Sequence, residues 1–155
     1  MQALELKVPP PLVALCCAIL MWLVSKLTGT LTLVQFSSLF NMFAVLLVLT
    51  GLGIGLTAVL EFRKAQTTIN PVNPESSSTL VDTGIFSKTR NPMYLGVLLI
   101  LSGWAVFLAN PLTMAGLLVF VLYITRFQIM PEERALTGIF ASEFEDYCNR
   151  VGRWI

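Results

Sequence analysis

The chain contains no histidine. That removes the commonest general base and the commonest metal ligand together. Charge is also scarce: charged residues fill 12% of the 155 positions, against about 25% in a typical soluble domain. So few charges cannot coat a water-facing surface of this size. The apolar residues, 55% of the chain, are gathered instead into long blocks. The net charge is +1 with no basic stripe, so there is no patch to displace phosphate counterions, and nucleic acid is excluded as a partner. Cysteine is equally thin. Cys16 and Cys17 are neighbours inside an apolar run and Cys148 lies far away. No metal-type spacing such as C-x-x-C occurs, so all three read as small buried hydrophobes and no metal site is expected. A cleavable signal peptide is not expected either, because MQALELKVPPP lacks a basic start leading directly into a short apolar stretch.

What the chain does have is hydrocarbon in span-sized lengths. A bilayer core of about 30 Å takes about 20 apolar residues of helix. Runs of that kind occupy 11–28, 39–60, 93–109 and 112–130. The expectation is an all-α, polytopic membrane helical bundle forming a single domain over 1–155, with about four spans and a C-terminal amphipathic helix. Three prolines, Pro9 to Pro11, open the first run, where a missing backbone N–H costs least. Asn110 and Pro111 alone separate the last two runs, which predicts a tight antiparallel hairpin. The segment 61–91 is too polar to cross lipid and carries turn signals at Asn70–Pro71, Asn73–Pro74 and Asp82-Thr83-Gly84. Pro131 then opens a tail in which Leu136, Phe140, Phe144, Tyr147 and Val151 recur at helical spacing, predicting an amphipathic helix over 132–151.

Basic residues set the orientation. Arg63, Lys64, Lys88, Arg90, Arg134, Arg150 and Arg153 all fall on one side of a four-span layout, while the other side carries only Lys26. The positive-inside rule places both termini and the polar segments in the cytoplasm of a multi-pass membrane protein. Gly51 and Gly55 form G-x-x-x-G within a span and read as a helix-packing device, one that also permits a dimer.

Three polar clusters map to that same face. In TRNPMYLG, residues 89–96, Pro92 suits a first helical position and leaves the following N–H groups free for a ligand. Arg90 can hold a carboxylate, Tyr94 can stack or donate, and Gly96 can admit a ligand to the helix backbone. The plainer reading of this cluster is an interfacial anchor. Glu132 and Glu133 at a helix start suit the helix dipole, and as a functional pair they can accept ribose hydroxyls or an ammonium group. The aromatic, basic tail around Tyr147, Arg150, Arg153 and Trp154 reads as an interfacial helix or as a lid over a pocket.

The order of these pieces resembles the isoprenylcysteine carboxyl methyltransferase family in its short bacterial-type branch, and the related phospholipid N-methyltransferases. The resemblance covers 62–154. It rests on an Arg-(His/Asn)-Pro-x-Tyr-x-Gly block, a spacer of two spans, and a Glu-Glu-x-x-Leu-x-x-x-Phe block followed by Tyr and an arginine-bearing tail. It implies an integral-membrane methyltransferase that uses S-adenosylmethionine, with a cytoplasm-facing pocket built from the last two spans and the tail. A lipophilic small molecule or lipid would reach that pocket from the bilayer. Carried over residue by residue, it assigns Arg90, Asn91, Pro92, Tyr94, Gly96, Glu132, Glu133, Leu136, Phe140 and Tyr147 to the cofactor, and chemistry to Arg90, Glu132 and Glu133. Asn91 departs from the histidine of many members, and an amide cannot titrate near neutral pH, so a histidine base is excluded. Methyl transfer then depends mainly on alignment and exclusion of water. A carboxylate acceptor needs no base, whereas an amine or thiol would turn to Glu132, Glu133 or a water chain. Isoprenoid acids, phospholipid amines and small thiols all remain open as acceptors. A sterol-reductase-like enzyme is disfavoured by length, and a small transporter or scaffold by mid-span regions almost free of polar groups.

Overall fold

In the computed structural model, residues 5–29, 38–66 and 79–155 are described, and among them the ordered elements are all helical. Six α-helices follow one another: α1 Pro10–Thr28, α2 Ser38–Lys64, α3 Pro92–Leu108, α4 Met114–Ile124, α5 Met130–Phe140 and α6 Ser142–Arg150. The turn signals at Asn70–Pro71 and Asn73–Pro74 lie outside the described residues. α1, α2 and the helical stretch that begins at Pro111 are each long and apolar enough to cross a membrane. α3, at 17 residues, rises about 25 Å and sits at the short end of a span. Leu39, Leu46, Leu49, Leu52 and Leu56 of α2 are exposed. A face this apolar is an aggregation hazard in water and ordinary in lipid, and the protein is an all-α membrane bundle.

Glycine sets the closest approach in that bundle. Gly96 and Gly103 of α3 lie against Gly51 and Ala44 of α2, so near that an added Cβ would sit 2.6 Å from the Gly51 carbonyl oxygen and 2.7 Å from that of Ala44. Both obstacles are backbone and cannot rotate away. Gly51 therefore packs helices as its spacing predicts. Gly55 lies beside Gly96 through its backbone, while its own Cβ position is open. Gly96→Val is accordingly expected to destabilise the bundle by about 2 kcal/mol through overpacking, measured by thermal unfolding in detergent. An unchanged melting temperature would mean that α2 and α3 do not touch there.

The hairpin between α3 and α4 is tight, as the two-residue separator predicts. Ala109 adopts the left-handed conformation at φ 49°. Asn110 Oδ1 accepts from Leu112 N–H at 3.0 Å, satisfying the start of the Pro111–Thr113 turn. Its Nδ2 donates to Thr28 Oγ1 at 2.8 Å and to the Gly29 carbonyl. One buried amide thereby stitches the hairpin to the far end of α1. Midway along, Trp104 Nε1 donates to the Ala18 carbonyl at 3.1 Å.

The helix does not begin anew at Pro131. α4 runs into α5 through a π-helical turn, Thr125–Ile129, in which Met130 N–H reaches back to the Thr125 carbonyl. Proline has no N–H to offer the carbonyl four residues earlier, here Phe127, and a π turn absorbs such a mismatch. The carbonyl of Phe127 is taken instead by Leu6 N–H at 3.0 Å. Glu5 fastens the same N-terminal strap to Arg126 at 3.0 Å and to Arg134. The single tail helix expected over 132–151 is broken at Ala141, where φ is 44°, so α6 turns back over the α3 start.

Candidate active site

Fold and chain order bring the two distant polar blocks to one end of the bundle. The chain enters α3 through Arg90 and Asn91 and leaves α4 through the π turn into Glu132 and Glu133, so the α3–α4 hairpin returns the second block beside the first. Between them lies a cavity of about 330 Å³, within the size range of small-molecule sites. Its wall also takes Pro10 and Pro11 from the α1 start, Phe62 from the α2 end, and Phe144 and Tyr147 from α6.

Glu133 is the junction. Arg90 Nη2 donates to its Oε1 at 2.9 Å, while Arg153 donates through Nε to Oε1 at 3.0 Å and through Nη2 to Oε2 at 2.6 Å. Two guanidiniums thus satisfy one carboxylate, and the Glu133 hydrogen bond holds the Arg153 cation above its ordinary range. Arg90 also donates through Nη1 to the carbonyls of Cys148 and Val151 at 3.0 and 3.1 Å, and its backbone N–H reaches the Gly152 carbonyl at 3.0 Å. Asn91 Nδ2 donates to the Arg153 carbonyl at 2.9 Å. The tail is therefore bolted to the α3 entry at several points. Arg150, itself exposed, goes elsewhere, to half-buried Asp82 at 3.1 Å.

Glu132 has different surroundings. Tyr94 Oη donates to its Oε1 at 2.6 Å and Gln128 Nε2 to the same oxygen at 2.7 Å. The apolar run ends at Met130, so Glu132 stands just beyond the span, yet removal from water pushes its carboxyl up to about 7. The hydrogen bonds from Gln128 and Tyr94 pull the other way, and the nearby Glu133 charge adds to the rise. Tyr147 donates to the Phe86 carbonyl at 2.8 Å, and burial raises its hydroxyl well above the ordinary tyrosine value.

Of the residues that the resemblance assigns to the cofactor, Arg90, Asn91, Pro92, Tyr94, Glu132, Glu133, Leu136 and Tyr147 line the cavity. Gly96 does not: it faces α2 and serves helix packing rather than ligand approach. Phe140 stands behind the wall, packed with Phe144, Tyr147 and Val151. Gln128 belongs to none of the motif blocks. Its one sequence signal was an amide at the end of an apolar run, four residues before an acid. Among the described residues, Arg90 Nε is buried without an acceptor, a donor held ready in a residue of the cavity wall.

Comparison with known proteins adds three findings. The family model described as phospholipid methyltransferase matches residues 39–143. An uncharacterized protein of Haemophilus influenzae is 43% identical over 63 residues, which is 41% of this chain and 100% of that protein. The protein-S-isoprenylcysteine O-methyltransferase of Saccharomyces cerevisiae is 37% identical over 81 residues, 50% of this chain. The match spans only 33% of the yeast protein's own length. No solved structure matches the chain.

Proposed function

Because the chain belongs to the phospholipid methyltransferase family, we propose that this membrane methyltransferase takes its methyl group from S-adenosylmethionine and delivers it to a lipophilic acceptor drawn from the bilayer. The observation that carries the reading is the meeting of Arg90 and Glu133, 43 residues apart in sequence and 2.9 Å apart in space, on the wall of one cavity. The donor set suits such a ligand. Arg90 Nε lacks an acceptor among the described residues and fits a carboxylate, and the apolar remainder of the wall fits a flat ring. Bound there, the cofactor supplies a methyl group already activated on a sulfonium. The protein's part is to hold donor and acceptor in line and to keep water out.

The roles within the site divide unequally. Arg90, locked by Glu133 and the tail carbonyls, is a rigid binding group. Glu133 acts through Arg90 and Arg153, since both of its oxygens are committed to them. Glu132 remains as the group that can hold a proton. The acceptor is an isoprenylcysteine-type carboxylate, a phospholipid amine or a small thiol; the name of the yeast relative, with its isoprenylcysteine, supports the first. The basic residues at the cavity end, Arg63, Lys64, Arg126, Arg134, Arg150 and Arg153, support a cytoplasmic site and cytoplasmic termini.

Thermal unfolding in detergent tests this reading. S-adenosylhomocysteine at about a hundred times its dissociation constant is expected to stabilise the protein by about 2.7 kcal/mol, with no effect from nicotinamide nucleotides. If only the nicotinamide nucleotides stabilise it, the cavity serves a reductase instead. If neither ligand does, the methyl-donor assignment is lost.

A further inference from the structure

Gln128 poses a problem that the fold alone leaves unanswered. It is 2% exposed, and burying a primary amide is costly unless it is hydrogen-bonded. It lies in the π turn, where an apolar residue would serve packing as well. Its Nε2 donates to Glu132 Oε1 at 2.7 Å, and Tyr94 Oη, from α3, donates to that same atom at 2.6 Å. Neither donor goes to Oε2. Two donors from two separate helical segments, converging on one oxygen, fix both the position and the plane of the carboxylate. Next door, Glu133 has both oxygens engaged by arginines. Two adjacent acids are thus prepared for different work, one neutralised and one with an oxygen that takes no donor among the described residues, on a cavity wall.

We propose that Tyr94 and Gln128 are positioning residues for methyl transfer: together they hold Glu132 by one oxygen and reserve the other to take a proton from an acceptor that bears an N–H or S–H. The inference rests on the methyltransferase reading above. In the step, the acceptor's proton goes to Oε2 while its lone pair forms the new bond to the methyl carbon. The carbon–sulfur bond that breaks leaves its electron pair on the donor sulfur, so the sulfonium and carboxylate charges are discharged together. An ionised carboxylate acceptor would have no use for this arrangement.

The surroundings allow the proton to reside there. The titratable and charged groups about Glu132 are Tyr94 from α3, Glu133 with its partners Arg90 and Arg153, and Tyr147 on the α6 side of the cavity. The N-terminal strap brings Glu5, already paired with Arg126 and Arg134. No cation is paired with Glu132 among the described residues. Burial favours its neutral form, and the Gln128 and Tyr94 donors favour the ionised one. The two positioning residues therefore set the pH at which the base is available.

Infrared titration of the Glu132 carboxyl band in the full-length protein in detergent, assigned by its absence in Glu132→Gln, reads this directly. Gln128→Met keeps the volume and removes a donor, and Tyr94→Phe removes only a hydroxyl. Each is expected to move the midpoint upward by about one pH unit or more, the size of a lost hydrogen bond to a charged group. Gln128→Met, whose side chain lies behind the cavity wall, is expected to keep its stabilisation by S-adenosylhomocysteine. Should Gln128→Met fail to fold, Tyr94→Phe carries the test alone. A midpoint unmoved by removal of either donor overturns the proposal. Loss of ligand stabilisation in the wild type, with the carboxyl shifts intact, instead brings down the methyltransferase reading and the proton-acceptor role that depends on it.

Discussion

Glu133→Ala is expected to destabilise the protein by about 3 kcal/mol and to abolish binding of S-adenosylhomocysteine, because it strands two arginines at once. The two are not equal. Arg90 is 12% exposed and Arg153 39%, so Arg153 can swing back to water and its pair counts for little. Most of the penalty comes from Arg90, held in place by the carbonyls of Cys148 and Val151 and unable to follow. An uncompensated buried charge then sits in the wall of the cavity that must receive the ligand. Arg153→Ala is expected to be much milder, since Glu133 keeps Arg90. Thermal unfolding in detergent, with and without ligand, checks the order of the two. Equal losses in both variants would show that Glu133 and Arg153 act as a simple pair and that Arg90 is not the residue being held.

That asymmetry also marks the limit of what the chain's letters convey. The spans are legible because lipid imposes one rule, a long apolar helix, and each apolar run obeys it. The hairpin is legible because Asn110 and Pro111 leave no room for anything else. Most of the site is legible too, since Arg90 and Glu133 are charges flanking two spans, and charges at such places need partners. Three features depend on geometry that no local pattern encodes. The helix passes through Pro131 because Leu6, 121 positions upstream of Phe127, takes the carbonyl that proline leaves free. Gly96 looks like a ligand's point of entry within its motif, and only the position of α2 shows that the space is already filled by the backbone of Gly51. Gln128 shares its spacing with any residue one turn before an acid, and its meaning comes from Tyr94 reaching the same oxygen across from α3. In each case the deciding partner lies far off in sequence.

The pH dependence of stability should carry the mark of Glu132, with a sign opposite to that of most carboxylates. A paired surface acid usually has its value depressed by folding and contributes stability as pH rises. Glu132 goes the other way, from an ordinary 4.5 up to about 7 in the folded protein. The folded state therefore binds this proton more tightly than the unfolded chain does. Its contribution is fully present below about pH 4.5, declines as pH climbs, and is lost once pH passes about 7. A difference of that size corresponds to about 3 kcal/mol. Other carboxylates titrate in the same range, so the informative quantity is the difference between the wild type and Glu132→Gln, which imitates the protonated acid. The two are expected to have matching stability at pH 4, and the variant is expected to be the more stable by about 3 kcal/mol at pH 8. A variant that gains stability while losing methyl transfer to an amine or thiol acceptor is what a buried proton acceptor predicts, because the fold tolerates the charge only for the sake of the chemistry. Parallel stability curves from pH 4 to 8 would show that Glu132 is ordinarily hydrated, and the base would then have to be sought elsewhere.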